Sequence, residues 1–345
     1  MQRISTIQTI LMLVGTVVGA GFASGREIWV YFGTFEKMGY VGLFAFCVGY
    51  VLVCLMGLKL SHKIGQKEFE NVIVPEGHEG LAKFVKYYMV VVLWAVMICM
   101  TAAAGSVAGQ QFGAPKFIGG IIVVVLVLFT IYGDFERVSK AFRCVMPFLM
   151  AIIIASCIAI IICELPETGY TTEVKHATMT PTWWLSAFLY FCFNVTGSLS
   201  VSIILGHRAD DIKPVKRGIV VAGAFCFVLG SLMITACLRD PSFAEAMDMP
   251  LMALAGLISK PLNIAFVIVM IIAIYSAATS NFYAYTTWLT EGPNKKKIVT
   301  VSAVVAYCIG QAGFKNIVNY MFSIFGIVGI AILVSLIWNY RREFK

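Results

Sequence analysis

The sequence predicts an all-α integral membrane protein with ten transmembrane helices. They form two inverted repeats of five, with spans one and six discontinuous. Three observations carry this expectation. Of 345 residues, 60% are hydrophobic and 13% are charged, against about 45–50% and about 25% in soluble domains. Mean hydropathy is +0.88. The apolar residues come in long continuous runs rather than alternating, which argues against a closed barrel. The first and sixth runs are crowded at their centres with glycine or small polar residues. So few charges exclude a soluble enzyme, a nucleic-acid binder and a disordered chain.

A helix needs about 20 apolar residues to cross a bilayer. Ten runs meet or approach that length: near 5–33, 38–60, 84–111, 115–133, 139–163, 182–206, 215–238, 261–289, 297–312 and 316–339. The ninth is short. The third, fifth and eighth are long enough to tilt. The chain reads as one transmembrane domain, 1–345, with repeat one near 5–163 and repeat two near 182–339. The start, Met1-Gln2-Arg3 before an apolar run, has the outline of a signal peptide, and Ala20 to Gly25 could serve as its cleavage region. The apolar run resumes at once at Ile28, and removal would leave nine spans, so this segment is read as a span.

Orientation follows from Lys and Arg. The net charge is +8, and the basic residues lie in short loops, a topology signal rather than a nucleic-acid footprint. With the N-terminus cytoplasmic, 19 of the 26 Lys and Arg fall on the inside. The expectation is a multi-pass protein of the cell membrane with both termini cytoplasmic. Most of the ten cysteines lie within apolar stretches, and neither a CxxC nor a Cys/His cluster with metal spacing occurs; no disulfide or zinc framework is expected. Residues 61–83 form a polar inside loop. Residues 240–259 are amphipathic and lie outside, where they could form short helices over the bundle and close a pathway.

Span one contains Gly15-Thr-Val-Val-Gly19-Ala-Gly21-Phe-Ala-Ser-Gly25-Arg-Glu27, and span six contains Phe193-Asn-Val-Thr-Gly-Ser-Leu-Ser200. Each Gly weakens a helix interior by about 1 kcal/mol relative to Ala. Weak centres at matching places in two opposed halves point to a transporter site. Uncoiled backbone is tolerated at membrane depth only where protein, ligand or water satisfies it. Freed N–H groups attract a carboxylate and freed carbonyls a cation. The competing reading of span one is close helix packing through two GxxxG motifs, Gly15/Gly19 and Gly21/Gly25. Gly19-Ala20-Gly21 also begins like a dinucleotide fingerprint, but the third glycine and the βαβ setting are missing.

At these residues the sequence resembles the LeuT-fold transporters of the amino acid/polyamine/organocation superfamily. Gly15 to Gly21 resembles the start of neurotransmitter:sodium symporters. Gly19-Ala-Gly-Phe-Ala-Ser-Gly-Arg-Glu27 resembles more closely the YkvI-type bacterial membrane proteins, grouped as amino acid permeases. Ser276-Ala-Ala-Thr279-Ser280-Asn281 of span eight is similar to the stretch that meets span one around a sodium ion. The resemblance implies a sodium site from the carbonyls of Gly15, Val18 and Ser276 and the hydroxyls of Thr279 and Ser280. For Thr279 and Ser280, a hydroxyl bonded to its own i−4 carbonyl is the plain alternative. The resemblance also implies a carboxylate held near Gly19, Ala20 and Gly21, with Phe193, Asn194, Thr196 and Ser198 lining the pocket and Thr101 and Ser106 of span three facing it.

The sequence departs from the symporter pattern in three places. Arg26 is displaced by one from the gating arginine. Span ten offers Asn316 and Asn319 but no acid. Phe22 stands where symporters use Asn. Arg26 and Glu27 lie near the outer membrane edge, either functional or simply paired with each other. Span five has Lys140 and Arg143 near its cytoplasmic end and no charge from 144 to 162, which favours sodium over a span-five lysine as the coupling element. The implied function is a secondary transporter moving an amino acid or similar small zwitterionic solute by alternating access, coupled to sodium and without a cofactor. A proton-coupled or exchange permease, and a ligand sensor on the same fold, are the alternatives. With neither a carboxylate pair nor a nucleophile–base constellation in the spans, an enzyme is not expected.

Overall fold

A computed structural model describes residues 4–133, 145–289 and 292–344. Among these residues every regular element is helical. Six helices are long and apolar enough to cross a membrane: α4 (Lys37–Ile64), α6 (Glu79–Phe112), α9 (Trp183–Arg208), α10 (Lys213–Cys237), α13 (Lys260–Thr286) and α15 (Phe314–Glu343). Shorter apolar helices accompany them: α1 (Thr6–Val17), α7 (Lys116–Tyr132), α8 (Val145–Ile162) and α14 (Lys295–Gly310). The protein is therefore a multi-pass membrane protein. Phe44, Phe129, Phe148, Val228, Ile268 and Val334 stand exposed on the outside of the bundle, where a bilayer rather than water is the fitting solvent. Lys140 and Arg143, and the start of the fifth span, lie outside the described residues.

The first span is broken, and its sequence explains where. Ser5 caps α1 by accepting from the Gln8 N–H, and Gln8 closes the reciprocal bond. The helix then meets Gly15 and the β-branched run Thr16-Val17-Val18, both poor helix formers. It ends at Val17. The Gly19 N–H bonds the Val17 carbonyl at 2.9 Å instead of reaching back to Gly15. A short helix α2 (Ala20–Ala23) follows. Gly25 then turns the chain at φ 83°, a left-handed conformation that favours glycine, and α3 (Arg26–Tyr31) begins. The Ser24 hydroxyl fastens this turn, donating to the Gly21 carbonyl at 2.7 Å and accepting from the Arg26 N–H at 3.1 Å.

The second expected break is absent. Helix α9 runs unbroken from Trp183 to Arg208, which corrects the expectation of a discontinuous sixth span. Four of its small polar side chains turn back onto the same helix. Asn194 donates to the Tyr190 carbonyl at 3.0 Å, Ser198 to Asn194 at 3.2 Å, Ser200 to Thr196 at 2.8 Å and Ser202 to Ser198 at 2.9 Å. Each of these four side chains finds its acceptor four residues back, so none needs an opening in the coil to be satisfied. The packing reading of span one holds for Gly25, where a side chain would run into Leu251, but not for the Gly15/Gly19 motif. A side chain added at Gly15 or Gly19 would meet nothing within 4 Å, so these glycines do not seat a neighbouring helix.

The order of contacts defines two ends of the bundle. Ile64, Arg208 and Glu343 share one end with the start of α1, since Lys63 pairs with Glu343, His62 bonds the Gly206 carbonyl and Thr6 bonds the Pro214 carbonyl. We call this the basic end. The opposite end is covered by α11 (Pro241–Ala246) and α12 (Pro250–Ile258), the short helices that the amphipathic loop suggested. The Leu251 N–H bonds the Ser24 carbonyl at 3.1 Å, so this cover is fastened to the turn in the first span.

Candidate functional site

The interruption after α1 opens a cavity of about 510 Å³, within the range of small-molecule sites. Uncoiled backbone at Gly19, the α2 residues Ala20 and Gly21, and Gly15 form one wall. Phe193, Asn194, Thr196 and Ser200 of α9 form another, and Ser276, Ser280 and Asn281 of α13 a third. Helix α6 supplies Met89, Val92 and Cys99, and α15 supplies Phe322 and Phe325. The lining extends toward the basic end, through Met89 near the start of α6 and Asn281 near the end of α13.

Most residues expected at the solute site border this cavity. Gly19, Ala20, Gly21, Phe193, Asn194 and Thr196 line it. Phe193 stacks on Phe322 with centroids 4.2 Å apart, closing one side. Three do not take the expected positions. Thr101 is fully buried and its hydroxyl donates to the Ile98 carbonyl at 2.8 Å. Ser198 is turned to Thr16, 3.0 Å between hydroxyls. Ser106 bonds Asp248 at 2.9 Å, toward the covered end.

The residues expected around a cation divide differently. Gly15, Ser276 and Ser280 line the cavity, while Val18 and Thr279 are fully buried. Val18 closes α1 with ψ 70°, outside the helical region. Among the described residues the Thr279 hydroxyl has no hydrogen-bond partner. It does not bond its own i−4 carbonyl, the plain alternative for a threonine in a membrane helix. The hydroxyls of Thr196, Ser156, Thr180 and Ser231 are orphaned in the same way; only Thr279 among them neighbours Ser276 and Ser280. Buried hydroxyls are seldom left unpaired, and each such case calls for an explanation.

Two charged residues depart from the reading of the sequence. Arg26 and Glu27 are not a mutual pair at the surface; both are buried. Neighbours in a helix do not face each other, and here they point to different regions. Arg26 meets Glu245 of α11 at 3.6 Å and donates to the Glu245 and Met247 carbonyls at 3.3 and 3.4 Å. Lys315 pairs with the same Glu245 carboxylate, and the Trp29 indole donates to it at 2.8 Å. Glu27 instead lines the cavity and accepts from the Tyr190 hydroxyl at 2.8 Å. The pocket therefore holds an ionisable residue whose sequence position suggests the membrane edge. The helical projection of two adjacent residues is the signal that separates them.

Among the described residues, no group of three or more His, Cys, Asp or Glu is arranged to hold a metal ion. No family model matches the chain. It is 24% identical over 343 residues to the uncharacterised membrane protein YkvI of Bacillus subtilis, covering 96% of this chain and 95% of that protein. It is 20% identical over 329 residues to the uncharacterised protein YyaD of the same organism, covering 95% and 94%. Among solved structures it resembles a manganese transporter of Eremococcus coleocola in complex with an aromatic bis-isothiourea compound. The TM-score is 0.59 and the identity 16%, covering 97% of this chain and 80% of that one. A point mutant of that transporter gives a TM-score of 0.61 at 15% identity, with 95% and 77% covered. The chain shares the fold of these membrane transporters.

Proposed function

We propose that this protein is a secondary transporter of the LeuT-like type, built as ten spans in two inverted repeats, with both termini cytoplasmic. It moves an amino acid or similar small zwitterionic solute by alternating access, coupled to sodium. The observation that carries the reading is the interrupted first segment opening directly onto the cavity. It presents carbonyls without helical donors on the α1 side and backbone N–H groups on the α2 side. A zwitterion offers matching groups: its carboxylate suits the amides near Gly19, Ala20 and Gly21, and the half-polar wall of Asn194 and Thr196 suits the rest. The orphaned Thr279 hydroxyl supports the sodium site, because a hard cation takes neutral oxygens when several converge. The shared fold with membrane transporters supports transport as the class of activity; the cargo is argued from the cavity.

The test is uptake of a labelled mixture of L-amino acids into proteoliposomes under an inward sodium gradient. Accumulation that collapses when the gradient is dissipated is the expected result. Failure of any amino acid to enter or exchange contradicts the proposal. Thermal stabilisation by an amino acid without uptake would leave a sensor in its place.

A further inference from the structure

The bundle holds its charges unevenly. At the covered end, two cations, Arg26 and Lys315, share the single carboxylate of Glu245. In the cavity the opposite holds. Glu27 is 7% exposed, and among the described residues no Lys, Arg or His forms an ion pair with it. It accepts from the neutral Tyr190 hydroxyl. The Tyr190 ring is packed on Tyr31, centroids 4.8 Å apart. The titratable groups facing Glu27 are these two phenols and the Cys99 thiol of α6, which borders the same cavity. None is a cation. Arg26, the adjacent residue, is held away by α11.

A buried carboxylate without a counter-charge is costly, by several kcal/mol. The cost is removed by a cation or by a proton. The local geometry favours the proton. One carboxylate oxygen is taken by Tyr190, and the other lies so close to Gly21 that a side chain added there would overlap it. Glu27 lines the cavity but is only 7% exposed, so little of it is open there. The open part can pass a proton to cavity water but offers little surface to an ammonium group, which needs several acceptors around it.

We propose that Glu27 is a proton-binding site of the cavity, distinct from the sodium site near Thr279. In the protonated form the O–H proton is on the carboxyl group. On release, the O–H bond breaks, its electron pair stays on the carboxylate oxygen, and the proton passes to a cavity water. Tyr190 donates to the carboxylate that remains. A solute that enters the cavity then meets either a neutral or a negative wall beside Gly21, so occupancy of Glu27 is coupled to solute binding. The sodium proposal does not depend on this site, nor this site on the sodium proposal.

The experiment is infrared difference spectroscopy on the full-length protein in lipid, titrated with pH, comparing wild type with Glu27→Gln. The expected result is a protonated-carboxyl C=O band that disappears as pH rises and is missing from E27Q. Superimposable carboxyl bands in the two proteins across the titration overturn the proposal. If E27Q fails to fold, Tyr190→Phe takes its place: it keeps the carboxyl but removes its hydroxyl partner, so the band must shift in position. A band unmoved in Y190F overturns the proposal equally. The spectrum needs no solute, so sodium-driven uptake with no Glu27 band contradicts this site alone. A Glu27 band with no uptake of any amino acid contradicts the transport reading alone.

Discussion

Thr279 and Glu27 show how much depends on what a single buried group touches. A threonine in a membrane helix ordinarily returns its hydroxyl to the i−4 carbonyl, and Thr130 does so with Leu126 at 2.8 Å. Thr279 does not. In the double variant Thr279→Ala, Ser280→Ala, sodium dependence of uptake is expected to vanish while the thermal transition stays within a few degrees of wild type. Unchanged sodium response would remove the cation assignment. At this scale the sequence is partly legible. The residue types around the cavity follow from the glycine run and the Ser276–Ser280 stretch. The side to which each polar group turns does not, because a hydroxyl's choice between its own helix and its neighbour depends on packing. Thr101 and Ser198 depart from their expected places for that reason.

Among elements, the contrast is between the first segment and α9. Both carry centres that look weak, yet only the first is broken. Glycine leaves the backbone free to uncoil, while Asn194, Ser198, Ser200 and Ser202 satisfy their polar side chains on carbonyls four residues back and need no uncoiled backbone. Composition alone does not separate these cases; the type of small residue does. Helix α9 owes its tight seat to its neighbours. A side chain added at Gly329 of α15 would land on the Cys192 carbonyl, and one at Gly206 on the Leu58 carbonyl, the close approach that small residues permit between membrane helices. Gly329→Leu must push α15 off α9. We expect a loss of about 1–3 kcal/mol from such overpacking, read as a lowered thermal transition in detergent. A variant as stable as wild type would mean that the two helices part freely.

For the whole molecule, the bundle is closed at one end and hollow toward the other. The cover formed by α11 and α12 is tied to the first segment through Glu245, which meets Arg26, Lys315 and Trp29 together. The hydropathy runs foretell a helical membrane protein, and the amphipathic 240–259 segment foretells the cover. The tie is not legible, because Arg26 and Glu245 are far apart in sequence and nothing in either segment names its partner. Removing one member of a buried pair leaves the other uncompensated, at about 3–5 kcal/mol. Glu245→Ala should therefore destabilise the protein strongly, while Lys116→Ala, whose side chain is 58% exposed, should cost little. Comparable thermal transitions for the two variants would refute a structural role for the Glu245 tie.

The interruption after α1 creates the chamber that, on this account, the solute occupies. Gly21→Leu addresses this, because a side chain added there collides with the Glu27 carboxylate and one of the two must turn into the chamber. Uptake of labelled L-amino acids is measured in proteoliposomes loaded with equal amounts of folded wild-type and G21L protein, under the same sodium gradient. Accumulation by wild type and at least a tenfold loss in G21L are expected. Equal accumulation by the two proteins would put the solute outside this chamber.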